Sequence, residues 1–219
     1  MNELSLVLPM YNPSKFKQTE WQEICHFIQN NPFATLIADT EDGLDATHIP
    51  LYWREGSSES GYLYGHFARA NTIWKKAKPN QDWLVIFHDV GHYISANYYP
   101  SKKRDHKVVP TWNYQAIHLK GMMTLIDDLE KMKWILAHQT EQFESVNGWK
   151  LSDAPNNYIE SQCKGIVCFE LKIHSVEAKY KLSQNQSSEN RQGVIEGLNT
   201  LGTPAACKMA ALVNQFSPE

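Results

Sequence analysis

The chain has 219 residues, 42% of them hydrophobic and 21% charged, which is ordinary globular usage and excludes a disordered, collagen-like or low-complexity polymer. Its formal charge of −3 leaves no chain-wide basic excess to attract phosphate backbones or anionic lipid, so any nucleic-acid contact has to be local. The longest apolar runs, Trp83 to Phe87 and Gly165 to Phe169, fall far short of the about 20 residues that cross a bilayer, so no membrane span is expected.

Met1-Asn2-Glu3 opens with an acid where a secretory leader carries Lys or Arg, and Leu4 to Met10 is a short, broken apolar run. A cytoplasmic protein is expected. Thr19 and Gln22 have capping-box spacing, and Trp21, Ile24, Cys25, Phe27 and Ile28 recur at helical intervals until Asn30-Asn31-Pro32 stops them, predicting an amphipathic helix. Phe33 to Ala38, Ala46 to Tyr52 and Gly61 to Phe67 are short segments rich in β-formers, separated by Glu41-Asp42-Gly43 and the polar run Glu55 to Ser60. They read as antiparallel strands. Asn71 is placed to cap a short helix carrying Ile73, Trp74 and Ala77 and ending near Lys78-Pro79.

Trp83 to His88 is apolar on both parities, as a strand covered on both faces is. His118 to Ile126 alternates, placing Leu119, Gly121, Met123 and Leu125 on one face. Asp128 suits the cap of a helix whose Leu129, Met132, Ile135, Leu136 and Phe143 share a stripe, and Val167 to Ile173 returns to period two. Helices are expected around Val194 to Leu198 and from Pro204 to Phe216, with Asn185 or Ser187 as caps for the first. Short strands with irregularly placed helices do not match a doubly wound parallel sheet, and an α+β barrel with peripheral helices fits better. One domain over 1–200 with a C-terminal extension over 201–219 is expected.

The common phosphate loops and the hydrolase elbow are absent from the sequence. Its four cysteines contain no Cys-x-x-Cys pair, which favours buried reduced thiols over a disulfide or zinc site. The nine histidines have no metal spacing, and His88 and His92 sit about a strand-turn at Asp89 to Gly91, so no metal is expected. Three segments remain that suit a ligand. His66-Phe67-Ala68-Arg69-Ala70-Asn71 puts a fixed cation where a strand yields to a helix, a position made for an anion, although a strand-end arginine paired with a local acid or lying in water fits it as well. Val108-Val109-Pro110-Thr111-Trp112-Asn113-Tyr114 joins a flat π surface, an amide and a phenol, which suits a planar heterocycle or an aromatic strand start packed into the core. Lys179-Tyr180-Lys181-Leu182-Ser183-Gln184-Asn185 offers two lysines for a phosphate or a polarised carbonyl, or simply a strand end before a helix cap. Lys102, Lys103, Arg104, His106 and Lys107 form a basic loop that is either solvated or local to phosphates.

With Met10 to Phe16, Asn31 to Leu36, His48 to Leu51, Tyr98 to Lys102 and Ser152 to Pro155, these segments resemble the PaiB family of FMN-binding negative transcriptional regulators. That family is related to the split barrels that include pyridoxamine-phosphate oxidases. The resemblance departs at Asn12, where an apolar residue is usual, and at Tyr180, where Trp is usual, and it leaves 201–219 uncovered. It implies a homodimeric FMN-binding split barrel with flavin sites at the subunit boundary. Residue by residue, it implies that Arg69, Ala70 and Asn71 hold the FMN phosphate. Thr111, Trp112, Asn113 and Tyr114 would meet the ring or ribityl chain, and Lys181 and Gln184 would complete the pocket. It implies negative regulation of sporulation and degradative-enzyme genes, with any DNA contact weak or indirect. The other reading is an FMN-dependent oxidoreductase acting on a small molecule or haem.

Overall fold

The computed structural model describes residues 9–217. The readings of Met1 to Glu3 and of the apolar run through Leu8 lie outside the described residues. In chain order the elements are β1 (Lys17–Gln18), α1 (Trp21–Asn30), β2 (Phe33–Thr40), β3 (Gly43–Pro50), β4 (Tyr52–Arg54), β5 (Tyr62–Ala68) and α2 (Ile73–Lys76). Then come β6 (Trp83–His88), β7 (His92–Ile94), α3 (Lys102–Asp105), β8 (Thr111–Ile126), α4 (Leu129–Glu141), α5 (Asn156–Cys163), β9 (Ile166–Lys181), α6 (Ser188–Leu201) and α7 (Pro204–Gln215). Hydrogen-bonded neighbours run β3-β2-β6-β8-β9-β5-β4, with β1 added to β9 and β7 to β8. The chain divides into two compact units, one of residues 21–87 and 118–176, the other of 1–20, 88–117 and 177–219.

In the unit of 21–87 and 118–176, β2 and β3 form a hairpin in register Thr40↔Gly43, and Gly43 takes a φ of 107° that an L side chain rarely adopts. Leu36, Leu63, Phe67, Val85, Phe169 and Leu171 are buried, and Phe67 stacks on Phe169 at 4.8 Å between centroids. α4 starts at Asp128, whose side chain accepts the Lys131 N–H at 2.7 Å as the sequence predicts, and sets Met132 and Ile135 against Tyr64, Ile159, Cys163 and Cys168. A Cβ on Gly121 would stand 2.4 Å from the Lys172 carbonyl oxygen, so β8 passes β9 at a distance only glycine permits.

In the unit of 1–20, 88–117 and 177–219, β1 pairs with the end of β9, Lys17 opposite Lys179, and β7 pairs with the start of β8, Tyr93 opposite Trp112. Ser187 caps α6 by accepting the Asn190 N–H, and Thr203 caps α7 ahead of Pro204. Gly193 and Gly197 leave room for Tyr98, whose ring atoms stand 2.2 Å from where a Cβ on Gly197 would be.

Several boundaries differ from expectation. The segment expected as Ala46 to Tyr52 is two strands, because Leu51 leaves the ladder, buries its side chain and gives its N–H to the Pro32 carbonyl at 2.9 Å. Thr111 to Tyr114 and His118 to Ile126 are one continuous strand, β8, so the aromatic segment is a strand start, as one of its two readings has it, and the strand runs further back than the alternation at His118 to Ile126 shows. Leu125 is 44% exposed and does not share the buried face of Leu119 and Gly121. Phe143 lies beyond the end of α4 and is exposed, since the helix closes at Gln142. At the start of α1 the Gln18 amide oxygen takes the N–H groups of Thr19 and Glu20, both at 2.8 Å.

Candidate functional site

Arg69 stands just past the end of β5. Its backbone N–H donates to the Gly165 carbonyl at 2.8 Å, and its Nε and Nη2 donate to the carbonyls of Lys164 and Ile166, both at 2.7 Å. Among the described residues it makes no ion pair. The strand-end arginine is therefore not neutralised by a local acid. The carbonyls fix its fork while the other N–H hydrogens remain for an anion. Asn71 accepts the Ile73 N–H at 3.2 Å and donates to Thr47 Oγ1 at 2.9 Å, but the N-cap of α2 is Thr72, one residue later than the sequence places it, because Asn71 holds the turn before the helix. α2 is four residues long, and one turn has too small a dipole to hold an anion by itself. Ala70 is exposed in the turn between them.

Arg69, Lys164 and Trp74 border a cleft of about 560 Å³ whose apolar wall includes Leu125, Leu129 and Met132. The Trp74 indole N–H is buried without an acceptor. Trp74 and Lys164 are not among the site residues the sequence suggests; the signal for Trp74 is its place in the short helix that follows Arg69.

In the other unit the second and third segments meet. Lys181 Nζ donates to Thr111 Oγ1 and to the Trp112 carbonyl, both at 2.5 Å. Burial, and secondarily the charge of Lys179, hold the Lys181 ammonium below the usual lysine range. Asn113 is fully buried, its Nδ2 donating to Ser183 Oγ at 2.9 Å while its Oδ1 has no partner. Trp112 is 55% exposed with Tyr93 edge-on at 6.2 Å, and Tyr114 is half-buried beneath the Lys179 ammonium. Gln184 spends its amide on its own loop: Oε1 accepts the Leu182 N–H at 2.7 Å and Nε2 donates to the Tyr180 carbonyl at 2.6 Å, around Ser183 at a φ of 67°. Lys179, on the same strand face as Lys181, is 7% exposed. Period-two spacing in β9 was the signal that joined these lysines.

Each set of residues, taken within its own unit, offers chemistry that suits a flavin nucleotide. An exposed indole suits a flat ring, an orphaned buried carbonyl suits a ring or ribityl donor, and cations without acid partners suit a phosphate or a polarised carbonyl. Among the described residues no cluster of His, Cys, Asp and Glu is arranged for a metal ion, and no helix is long and apolar enough to cross a membrane.

The sheet order with helices at its periphery defines an α+β split barrel of the FMN-binding type. Two solved structures share this fold: the FAD and haem binding protein from Mycobacterium smegmatis, with a TM-score of 0.55 at 12% identity covering 75% of this chain and 73% of that one, and the flavocytochrome Anf3 from Azotobacter vinelandii, with a TM-score of 0.50 at 17% identity covering 75% and 69%. A family model described as "Putative FMN-binding domain" matches residues 10–175. The "Protease synthase and sporulation protein PAI 2" of Bacillus subtilis is 36% identical over 208 residues, covering 93% of this chain and 96% of that protein. The chain belongs to this FMN-binding family, the PaiB-type flavoproteins, and the cofactor that membership assigns is FMN.

Proposed function

We propose that this chain is an FMN-binding regulator of protease and sporulation genes, acting as a cytoplasmic homodimer. The observation that carries the regulatory reading is the 36% identity to the Bacillus subtilis protein along 93% of the chain. In this reading Arg69, with Asn71 and the Ala70 backbone, holds the FMN phosphate, and the bonds of Asn71 to Ile73 and Thr47 fix the turn. Trp112 stacks on the ring, and Thr111, Asn113 and Tyr114 meet its edge or the ribityl chain, from the partner subunit where the geometry requires it. Lys181 points its charge at the same ligand, and Gln184 shapes the loop that follows.

Bound FMN supplies redox chemistry through its isoalloxazine ring. The half-exposed Trp112 favours a second reading, an FMN-dependent oxidoreductase acting on a small molecule or haem, because a platform open to solvent admits a reactant as well as a flavin. The net charge of −3 argues that repression works through weak or indirect DNA contact.

Deleting the gene in its own host and measuring protease and sporulation transcripts tests the regulatory reading. Transcripts rise on deletion and fall again with the wild-type gene but not with Arg69→Ala. Unchanged transcripts, together with rapid bleaching of the purified flavoprotein by NADH or NADPH, would instead establish the oxidoreductase.

A further inference from the structure

The ends of β9 and β1 gather cations that no carboxylate pairs with among the described residues. Lys179 is 7% exposed, and its ammonium donates to the Tyr11 carbonyl at 2.8 Å and lies 5.1 Å and 5.6 Å from the ring centroids of Tyr11 and Tyr114. Lys181, two residues on and on the same face, rests on a hydroxyl and a carbonyl. Lys17 stands directly across from Lys179 in the β1–β9 register. The acid on this face, Glu177, accepts the Met10 N–H at 3.1 Å, and no ion pair joins a carboxylate to any of the three lysines among the described residues.

Burying an ammonium without an anion is costly, and carbonyls and π faces offset only part of that cost. Like charges directly opposite in a sheet add repulsion. Two buried or half-buried ammonium groups on one strand face, with a third lysine across from them, complete their coordination when an anion joins them. The burial that holds Lys181 below the usual lysine range is the same burial that strengthens its attraction for an anion.

We propose that Lys179 and Lys181 form a phosphate seat, with Tyr11 as its cover and Lys17 at its rim, that takes a phosphate group whether free or carried by a nucleotide. The seat stands on its own: inorganic phosphate fills it without flavin. Tyr11, 82% exposed, is the outer layer over the Lys179 ammonium, so the seat lies one ring below solvent.

The test is thermal unfolding of the full-length protein in phosphate-free buffer against increasing inorganic phosphate, at constant ionic strength. The wild-type midpoint rises and saturates with phosphate. Lys179→Met with Lys181→Met abolishes that rise and unfolds at a higher temperature than wild type without phosphate, since the uncompensated charges are gone. Lys179→Arg with Lys181→Arg keeps the phosphate response, which separates loss of charge from loss of fold. A wild-type midpoint that ignores phosphate, or a methionine variant that retains the full response, overturns the seat.

FMN and riboflavin titrations then assign the source. If the lysine variants lose the preference for FMN over riboflavin, the seat holds the FMN phosphate itself; if Arg69→Ala alone loses it, the seat holds a second, free phosphate. Failure of FMN to bind at all would refute the flavin reading and leave the phosphate arm intact.

Discussion

Arg69 shows how backbone carbonyls can aim a cation. With Nε and Nη2 held by Lys164 and Ile166, the guanidinium gives up little side-chain freedom when a phosphate arrives. A charge-assisted bond contributes about 1.5–3 kcal/mol, so Arg69→Ala should weaken FMN by roughly 10- to 150-fold while riboflavin, which lacks the phosphate, binds as before. Equal losses for both ligands in a fluorescence titration would remove Arg69 from the phosphate. The cysteines follow from burial in the same way. Burial pushes the Cys168 thiol up to about 12 and Cys25 up to about 11, while Cys207 is exposed. At mildly alkaline pH a thiol reagent should label Cys207 in the native protein and reach Cys163 and Cys168 only after denaturant is added. Because the folded value is raised, the stability Cys168 contributes is fully present below the ordinary thiol value and drains away as pH climbs from there toward about 12. An alkaline loss of stability that Cys168→Ala does not reduce would contradict this.

Elements whose sequence carried both a period and a terminator were legible. α1 stops at Asn30, ahead of Asn31-Pro32, and α4 starts after Asp128. Asp128→Ala should cost about 0.5–2 kcal/mol in denaturant unfolding, and Asp128→Ser should recover most of it; equal stability of all three proteins would mean that the cap contributes nothing. The long strands were legible only in pieces, because β8 changes character along its length: polar-aromatic at Thr111 to Tyr114, buried at Gln115 to Ile117 and alternating only afterwards. A period-two search finds the last part alone. The split of Ala46 to Tyr52 into two strands was not legible at all, since it depends on Leu51 finding the Pro32 carbonyl far away in sequence.

For the whole molecule, the sequence motifs picked out candidate ligand segments, and the structure supplied their local chemistry. It joined Thr111 and Trp112 to Lys181, gave Arg69 to backbone carbonyls where an acid had been an alternative, and turned Gln184 inward. Lys179 stands out in the sequence as one of two lysines suited to a phosphate, but that it is buried was not legible, because a lysine in a sequence reads as surface. Beyond residue 175, α6 and α7 pack through Gly193 and Gly197, which leave room for Tyr98, and through the Thr203-Pro204 start.

Titrating the purified chain with FMN in an analytical ultracentrifuge at the flavin's visible band tests whether it is the proposed homodimeric FMN protein. The yellow chromophore should sediment with the protein at the mass of two chains and saturate at equal numbers of flavins and subunits. Flavin left at the meniscus beside a single-chain boundary would contradict it.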